Sequence, residues 1–223
     1  TVAVAGDVPV GAGAPGTEST PAPYEFDIEG YDRVDPARVL PSTAVTAGVL
    51  HRARARSLTV LVIGCLRDFA ETAAAHGELI KAKAAQVVIQ GGLERDDATQ
   101  AWRPDDSTNN FEDADAATRA YAWAFASGVR MVVVSRHVVP AVPMHLAQSF
   151  AQRTLHPVLM HVSNAQFLGL RALWGRVCAG AVQARCTKAW FLETFCGASA
   201  GTAETRGLGA LGGGADITAE LSG

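Results

Sequence analysis

Lysine is nearly missing from this sequence: of 19 basic residues, only Lys81, Lys83 and Lys188 are lysines. With the heavy use of alanine, this bias reflects base composition and carries no function. An excess of either charge is missing too. A formal net charge of −3 and a pI near 6.0 exclude the basic footprint of a nucleic-acid binder or of a protein drawn to anionic membranes. No apolar run approaches the roughly 20 residues that span a bilayer, so no membrane insertion is expected. A leader of charged, then apolar, then small residues is also absent, which favours an intracellular location. The four cysteines, Cys65, Cys178, Cys186 and Cys196, contain no C-x-x-C pair. That removes zinc-ribbon and thioredoxin-type chemistry. Scattered, mostly buried thiols are expected, with a disulfide among the last three left open. His156 and His161 are spaced too far apart to share one helix face, which argues against zinc.

What is present suits a globular domain: 223 residues, 48% hydrophobic and 18% charged. Texture divides the chain into a Gly/Pro/Ala-rich linker over residues 1–25, a patterned body over 26–196, and a low-complexity Gly/Ala-rich tail over 197–223. Within the body, LTVLVI at residues 58–63 is a continuous apolar run of the kind covered on both faces in a parallel sheet. Residues 68–84 follow as an alanine-rich helix broken near Gly77, and VVIQ at 87–90 is a second strand. Asp113 caps a helix that Gly128 stops, and MVVVS at 131–135 is a third strand. Beyond Pro143 the pattern is mostly helical. Alternating strands and helices predict an α/β fold with a mainly parallel, open sheet flanked by helices.

Ligands of such sheets bind beyond the C-terminal ends of the strands. Gly64 to Asp68, Gly91-Gly92 with the polar segment 102–110, and Ser135-Arg136-His137 occupy those positions. An EF-hand starting at Asp105 fails, because Ala116 falls where the bidentate Glu must sit. For Arg136 the plainer alternative to substrate contact is a salt bridge at a strand end.

The segments LTVLVIGCLRDFAET, VVIQGG, PDDSTNNFEDADAA and SGVRMVVVSR, with DVPVGAGAPG upstream, resemble the inosine–uridine-preferring nucleoside hydrolase family over about residues 7–196. Gly64 to Asp68 stands for that family's G-x-L-T-N turn, Gln90-Gly91-Gly92 for its M-G-G, and Asp113 to Ala117 for its D-P-E-A-A. PDDSTNN, VVVSR and ALWGRVC look closer to a divergent branch. The resemblance implies a Rossmann-like sheet, a bound calcium ion and hydrolysis of the N-glycosidic bond of a ribonucleoside. Calcium is a hard cation that positions ribose hydroxyls and an activated water. On this basis Asp105, Asp106, Ser107, Asn109, Asn110 and Arg136 are the candidate substrate-binding residues. The backbone carbonyl of Arg67 is the candidate metal ligand. The resemblance also implies a nucleoside as small-molecule partner, and a homo-oligomer or a place in a larger assembly.

Departures from the pattern matter as much. No D-x-D-x-x-x-D-D run occurs before Tyr24, Ser107 replaces the polar-loop glutamate, and the late His-Asp pair has no match. The chain opens on Thr1, so the expected fold is incomplete at its N-terminus, lacking the strand that bears those aspartates. Two functions fit this pattern. The favoured one is an inactive relative kept as a structural or assembly subunit. The alternative is a calcium-dependent purine or pyrimidine nucleoside N-ribohydrolase whose metal aspartates lie upstream of Thr1.

Overall fold

The computed structural model describes residues 8–14, 16–17, 39–139, 149 and 156–196. The tail expected over 197–223 and most of the linker lie outside them. Two compact units are present: residues 1–20 with 32–139, and residues 21–31 with 140–223.

The first unit holds α1 (Ser42–Arg52), β1 (Leu58–Val62), α2 (Arg67–Lys83), β2 (Ala84–Gln90), β3 (Leu93–Arg95), β4 (Trp102–Pro104), α3 (Thr108–Phe111), α4 (Ala114–Ser127) and β5 (Arg130–Val134). Strands β1, β2 and β5 form a parallel sheet in that order. The expected parallel α/β architecture is therefore what the chain adopts. Side chains alternate across a strand. The register sets Val60 beside Val87 and Met131, and Val62 beside Ile89 and Val133, on one face. All six belong to the core that α2 and α4 cover. Those helices pack on each other, with Phe69 and Trp123 edge to face at 5.6 Å.

Strand β1 was expected to be covered on both faces, and that expectation fails. Leu61 is 60% and Ile63 63% exposed. Both crossovers run the same way across the sheet, so their right-handed turn puts α2 and α4 on a single side. Helix α2 bends near Gly77 as expected, at His76 (φ −134°, ψ 25°). The Asp113 cap is real: its Oδ1 accepts the Ala116 amide at 2.9 Å. Gly128 ends α4 at φ 69°, a left-handed conformation that a Cβ would strain.

The second unit contains α5 (Pro157–Cys178) and α6 (Lys188–Phe195). Trp174, Phe191, Leu192 and Leu170 form their shared core. The aromatics of this stretch pack on one another, Trp174 on Phe191 and Phe195 on both Phe191 and Trp190. All four cysteines are free thiols, so none of the disulfides left open by spacing is formed. Among the described residues no helix is long and apolar enough to cross a membrane.

Candidate functional site

The parallel sheet carries all its C-terminal strand ends on one edge, and the polar segments cluster there. Gly91 donates its amide to Val134 O at 3.1 Å, tying the end of β2 to the end of β5. The chain then leaves β2 through Gly92 into the β3–β4 hairpin and returns at Asp105. The Asp105 amide donates to Gly92 O at 3.0 Å, which closes the hairpin base.

Asp105 is the hub of this polar cluster, although its side chain is only 9% exposed. Its Oδ1 accepts the Ser107 amide at 2.9 Å and Asn110 Nδ2 at 3.0 Å, and its Oδ2 accepts Arg136 Nη1 at 3.1 Å. Burial of a carboxylate is tolerable only with such pairing. The carboxylate lies directly over Gly92, where an added Cβ would stand 2.0 Å from Oδ2. Glycine is required there by close approach.

The sequence candidates divide clearly. Asn110 is 1% exposed and spends Nδ2 on Gly92 O (2.9 Å) and on Asp105, so it ties the loop to the sheet. Ser107 is buried as well. Asn109 sits nearer the surface and donates Nδ2 to Gln90 O at 2.8 Å. Asp106 is half exposed and holds Arg136 Nη1 at 2.6 Å. Arg136 therefore makes the salt bridge foreseen as the plainer alternative, with two carboxylates. Asp105, Asp106 and Asn110 also line a cavity of about 390 Å³ floored by Phe111 and Ala114 and flanked by the Arg103–Glu94 pair.

Sequence reasoning missed Tyr121, and it named Asp68 only as part of the turn at 64–68. Tyr121 reaches from α4 to the underside of Gly91, where its hydroxyl and Asn110 Oδ1 lie 2.6 and 2.9 Å from the place of a Cβ. Among the described residues neither atom makes a hydrogen bond of good geometry, although Asn110 and the Gly92 backbone lie near enough to act on the Tyr121 hydroxyl. Burial, aided by the Asp105 charge, pushes the Tyr121 hydroxyl up to about 12, with Asn110 and the Gly92 backbone opposing. Only the tertiary placement of α4 reveals this residue, since a tyrosine on an apolar helix face looks like ordinary core.

At the end of β1, Asp68 anchors the segment 8–17. Its Oδ1 accepts the Ala14 amide at 3.0 Å and Ser42 Oγ at 2.7 Å. Thr17 reaches Glu112 O at 3.3 Å, so the segment straps the site from the β1 side. Burial pushes the Cys65 thiol up, and Glu112, Asp113 and Asp68 push it further, against a backbone hydrogen bond at Arg67. A thiol so placed is a poor nucleophile. Arg67 Nε bonds Glu71 at 3.1 Å, and its Nη1 lies 3.7 Å from the Asp113 carboxylate. Calcium takes about six to eight oxygen ligands. Among the described residues no three His, Cys, Asp or Glu side chains gather to hold a metal. The described side chains do not make such a set by themselves.

No family model matches the chain, and no curated protein matches it. Solved structures do. The type III effector protein XopQ, crystallised with adenosine diphosphate ribose, superposes with a TM-score of 0.63 at 27% identity, over 73% of this chain and 47% of that one. The effector protein XOO4466 does so with a TM-score of 0.59 at 25% identity, over 76% and 48%. The chain thus spans about half the length of the solved structures it matches. These effectors are nucleoside-hydrolase-like, and they overturn the resemblance to the inosine–uridine-preferring family. The physical reason lies in the site: Arg67-Asp68 stands where that family has its Thr-Asn turn, and buried Ser107 where it has a glutamate. With that correction, the chain has a nucleoside-hydrolase-like, Rossmann-like α/β fold similar to that of these effectors.

Proposed function

We propose that this chain supplies the ribosyl-binding edge of a nucleoside-hydrolase-like protein, for a ligand of the ADP-ribose class, and binds that ligand without cleaving its N-glycosidic bond. One observation carries the proposal. Asn109, Asn110 and Asp105 are locked onto Gln90-Gly91-Gly92 at the C-terminal edge of the sheet. Parallel α/β sheets hold their ligands at that edge. A ribose presents vicinal hydroxyls that need acceptors. Asn109, half-buried beside the end of β2 and fixed there by its Nδ2 on Gln90 O, turns its Oδ1 to that use.

Cleavage asks for more than acceptors. The departing base needs a proton, and the attacking water needs a base or a metal. Ser107 has no acid–base capacity near neutrality, and the Cys65 thiol is held in its neutral form by burial and surrounding carboxylates. On this proposal the described residues hold and orient a ribosyl group. This is consistent with retention as a binding or assembly subunit.

Calorimetric titration of the chain with ADP-ribose, alongside an adenine-release assay with and without chelator, tests the proposal. Saturable binding with no adenine released is expected. Asn109→Ala should weaken binding about tenfold, the worth of roughly one good hydrogen bond, and leave the melting temperature nearly unchanged. Absence of binding would refute the ribosyl reading, and release of adenine would refute its non-hydrolytic part.

A further inference from the structure

Phe111 carries a second observation. It ends α3 on the floor of the cavity of about 390 Å³ beside the β3–β4 hairpin, and it is 43% exposed. A cavity of that size takes a ring-bearing group, and an exposed aromatic floor stacks on a flat one. Beside the ring the helical wall is low: Ala114 is a single methyl, and Thr118 turns its Oγ1 back to Ala114 O at 2.9 Å. The hairpin wall is polar. There Glu94 Oε1 holds Arg103 Nη2 at 2.9 Å, while Glu94 Oε2 makes no hydrogen bond or ion pair among the described residues. Asp105 and Asp106, in the turn that joins the two walls, are engaged by Arg136. Three carboxylates thus stand against two guanidinium groups, a surplus of one negative charge. That surplus repels a phosphoryl group from the cavity and favours an uncharged ring with N–H donors on its edge.

We propose that this cavity is the base subsite of the ribosyl ligand and takes adenine, stacked on Phe111 with its exocyclic amino group donated to Glu94 Oε2. Adenine is flat and uncharged, and a glutamate carboxylate is a natural acceptor for an exocyclic amine. Hypoxanthine has the same shape but sets a carbonyl oxygen where adenine has that amino group, so it meets the carboxylate with like polarity. Asn110 in the lining is next in the chain to Asn109, so a base seated here has its ribose on the side of the β2 end. Any phosphate of the ligand then lies outside the cavity, away from the carboxylate surplus. This inference rests on the ribosyl-binding proposal and adds the base to it.

The test compares adenosine, inosine and ADP-ribose on the full chain, its Phe111→Ala variant and its Glu94→Gln variant, by calorimetry at fixed ionic strength. The wild-type chain should bind adenosine about tenfold more tightly than inosine. Phe111→Ala should weaken both nucleosides about tenfold, because stacking does not distinguish the two bases. Glu94→Gln should weaken adenosine and not inosine, since an amide offers the inosine carbonyl a donor, so the preference shrinks or reverses. In the wild-type chain, nuclear Overhauser contacts should join the adenine ring protons to Phe111, a readout that needs no variant to fold. Unchanged affinities in Phe111→Ala, or no such contacts, would overturn the base subsite. Equal affinity of the wild-type chain for adenosine and inosine would overturn the role of Glu94. Binding of ADP-ribose without binding of adenosine would sink this inference alone, whereas binding of none of the three would sink the ribosyl proposal and this one with it. Thermal melting of each variant separates loss of binding from loss of fold.

Discussion

Gly92→Ala is the sharpest perturbation of the site. The added Cβ would lie 2.0 Å from Asp105 Oδ2, 2.4 Å from Cγ and 2.6 Å from Oδ1, so the carboxylate must leave its place. It is short and cannot swing aside while keeping Ser107 N at 2.9 Å, Asn110 Nδ2 at 3.0 Å and Arg136 Nη1 at 3.1 Å. Hydrogen bonds to a charged group contribute about 1.5–3 kcal/mol each. The losses are less than additive, because Asn110 keeps Gly92 O and Arg136 keeps Asp106. A net destabilisation of about 2–4 kcal/mol is expected, lowering the urea midpoint by roughly 1–2 M at a typical slope near 2 kcal/mol/M. A double-mutant cycle isolates the cause. In an Asp105→Ala background the clash has no partner, and Gly92→Ala should cost less than about 0.5 kcal/mol. In an Asp105→Asn background the side chain is isosteric, and the cost should persist. Equal costs in the wild-type and Asp105→Ala backgrounds would refute the proposed contact.

The same geometry sets three further outcomes. Asp113→Ala removes the α4 cap and should destabilise the fold by about 1–2 kcal/mol in urea, whereas Asp113→Asn, which still caps, should cost less than half of that. Tyr121→Phe deletes a buried hydroxyl that makes no hydrogen bond of good geometry among the described residues, and should change stability by less than about 1 kcal/mol. The folded-state pKa of Tyr121, about 12, lies above its ordinary 10, so its contribution is fully present below pH 10 and is lost as pH rises towards 12. The wild-type chain should therefore lose stability across that window relative to Tyr121→Phe, and parallel pH profiles would disprove the assignment. Asp68→Ala removes the anchor of the 8–17 strap and should hasten proteolytic cleavage within it, while an unchanged cleavage rate would show that the strap is held elsewhere.

Local chemistry alone determined much of this protein. The apolar run before Gly64 makes β1, Asp113 and Gly128 delimit α4, and the alternation of such elements makes a parallel α/β sheet. These features depend on neighbours within a few residues, so they are written in the chain. The β3–β4 hairpin and α1 were not legible, because short polar strands and a weakly amphipathic helix have no periodic signature. Nor was the open face of β1, which depends on both crossovers placing their helices on one side. The candidate site was legible as a set of residues at strand ends, but not in their roles. Asp105 and Arg136 are 31 residues apart and Ala14 and Asp68 54 apart, and only the tertiary fold makes each pair adjacent. That adjacency turned Asp105 from an expected ligand contact into the buried anchor of Asn110 and Arg136. The physical reason is burial: a carboxylate withdrawn from water must find its partners in the protein, and those partners are chosen by the fold.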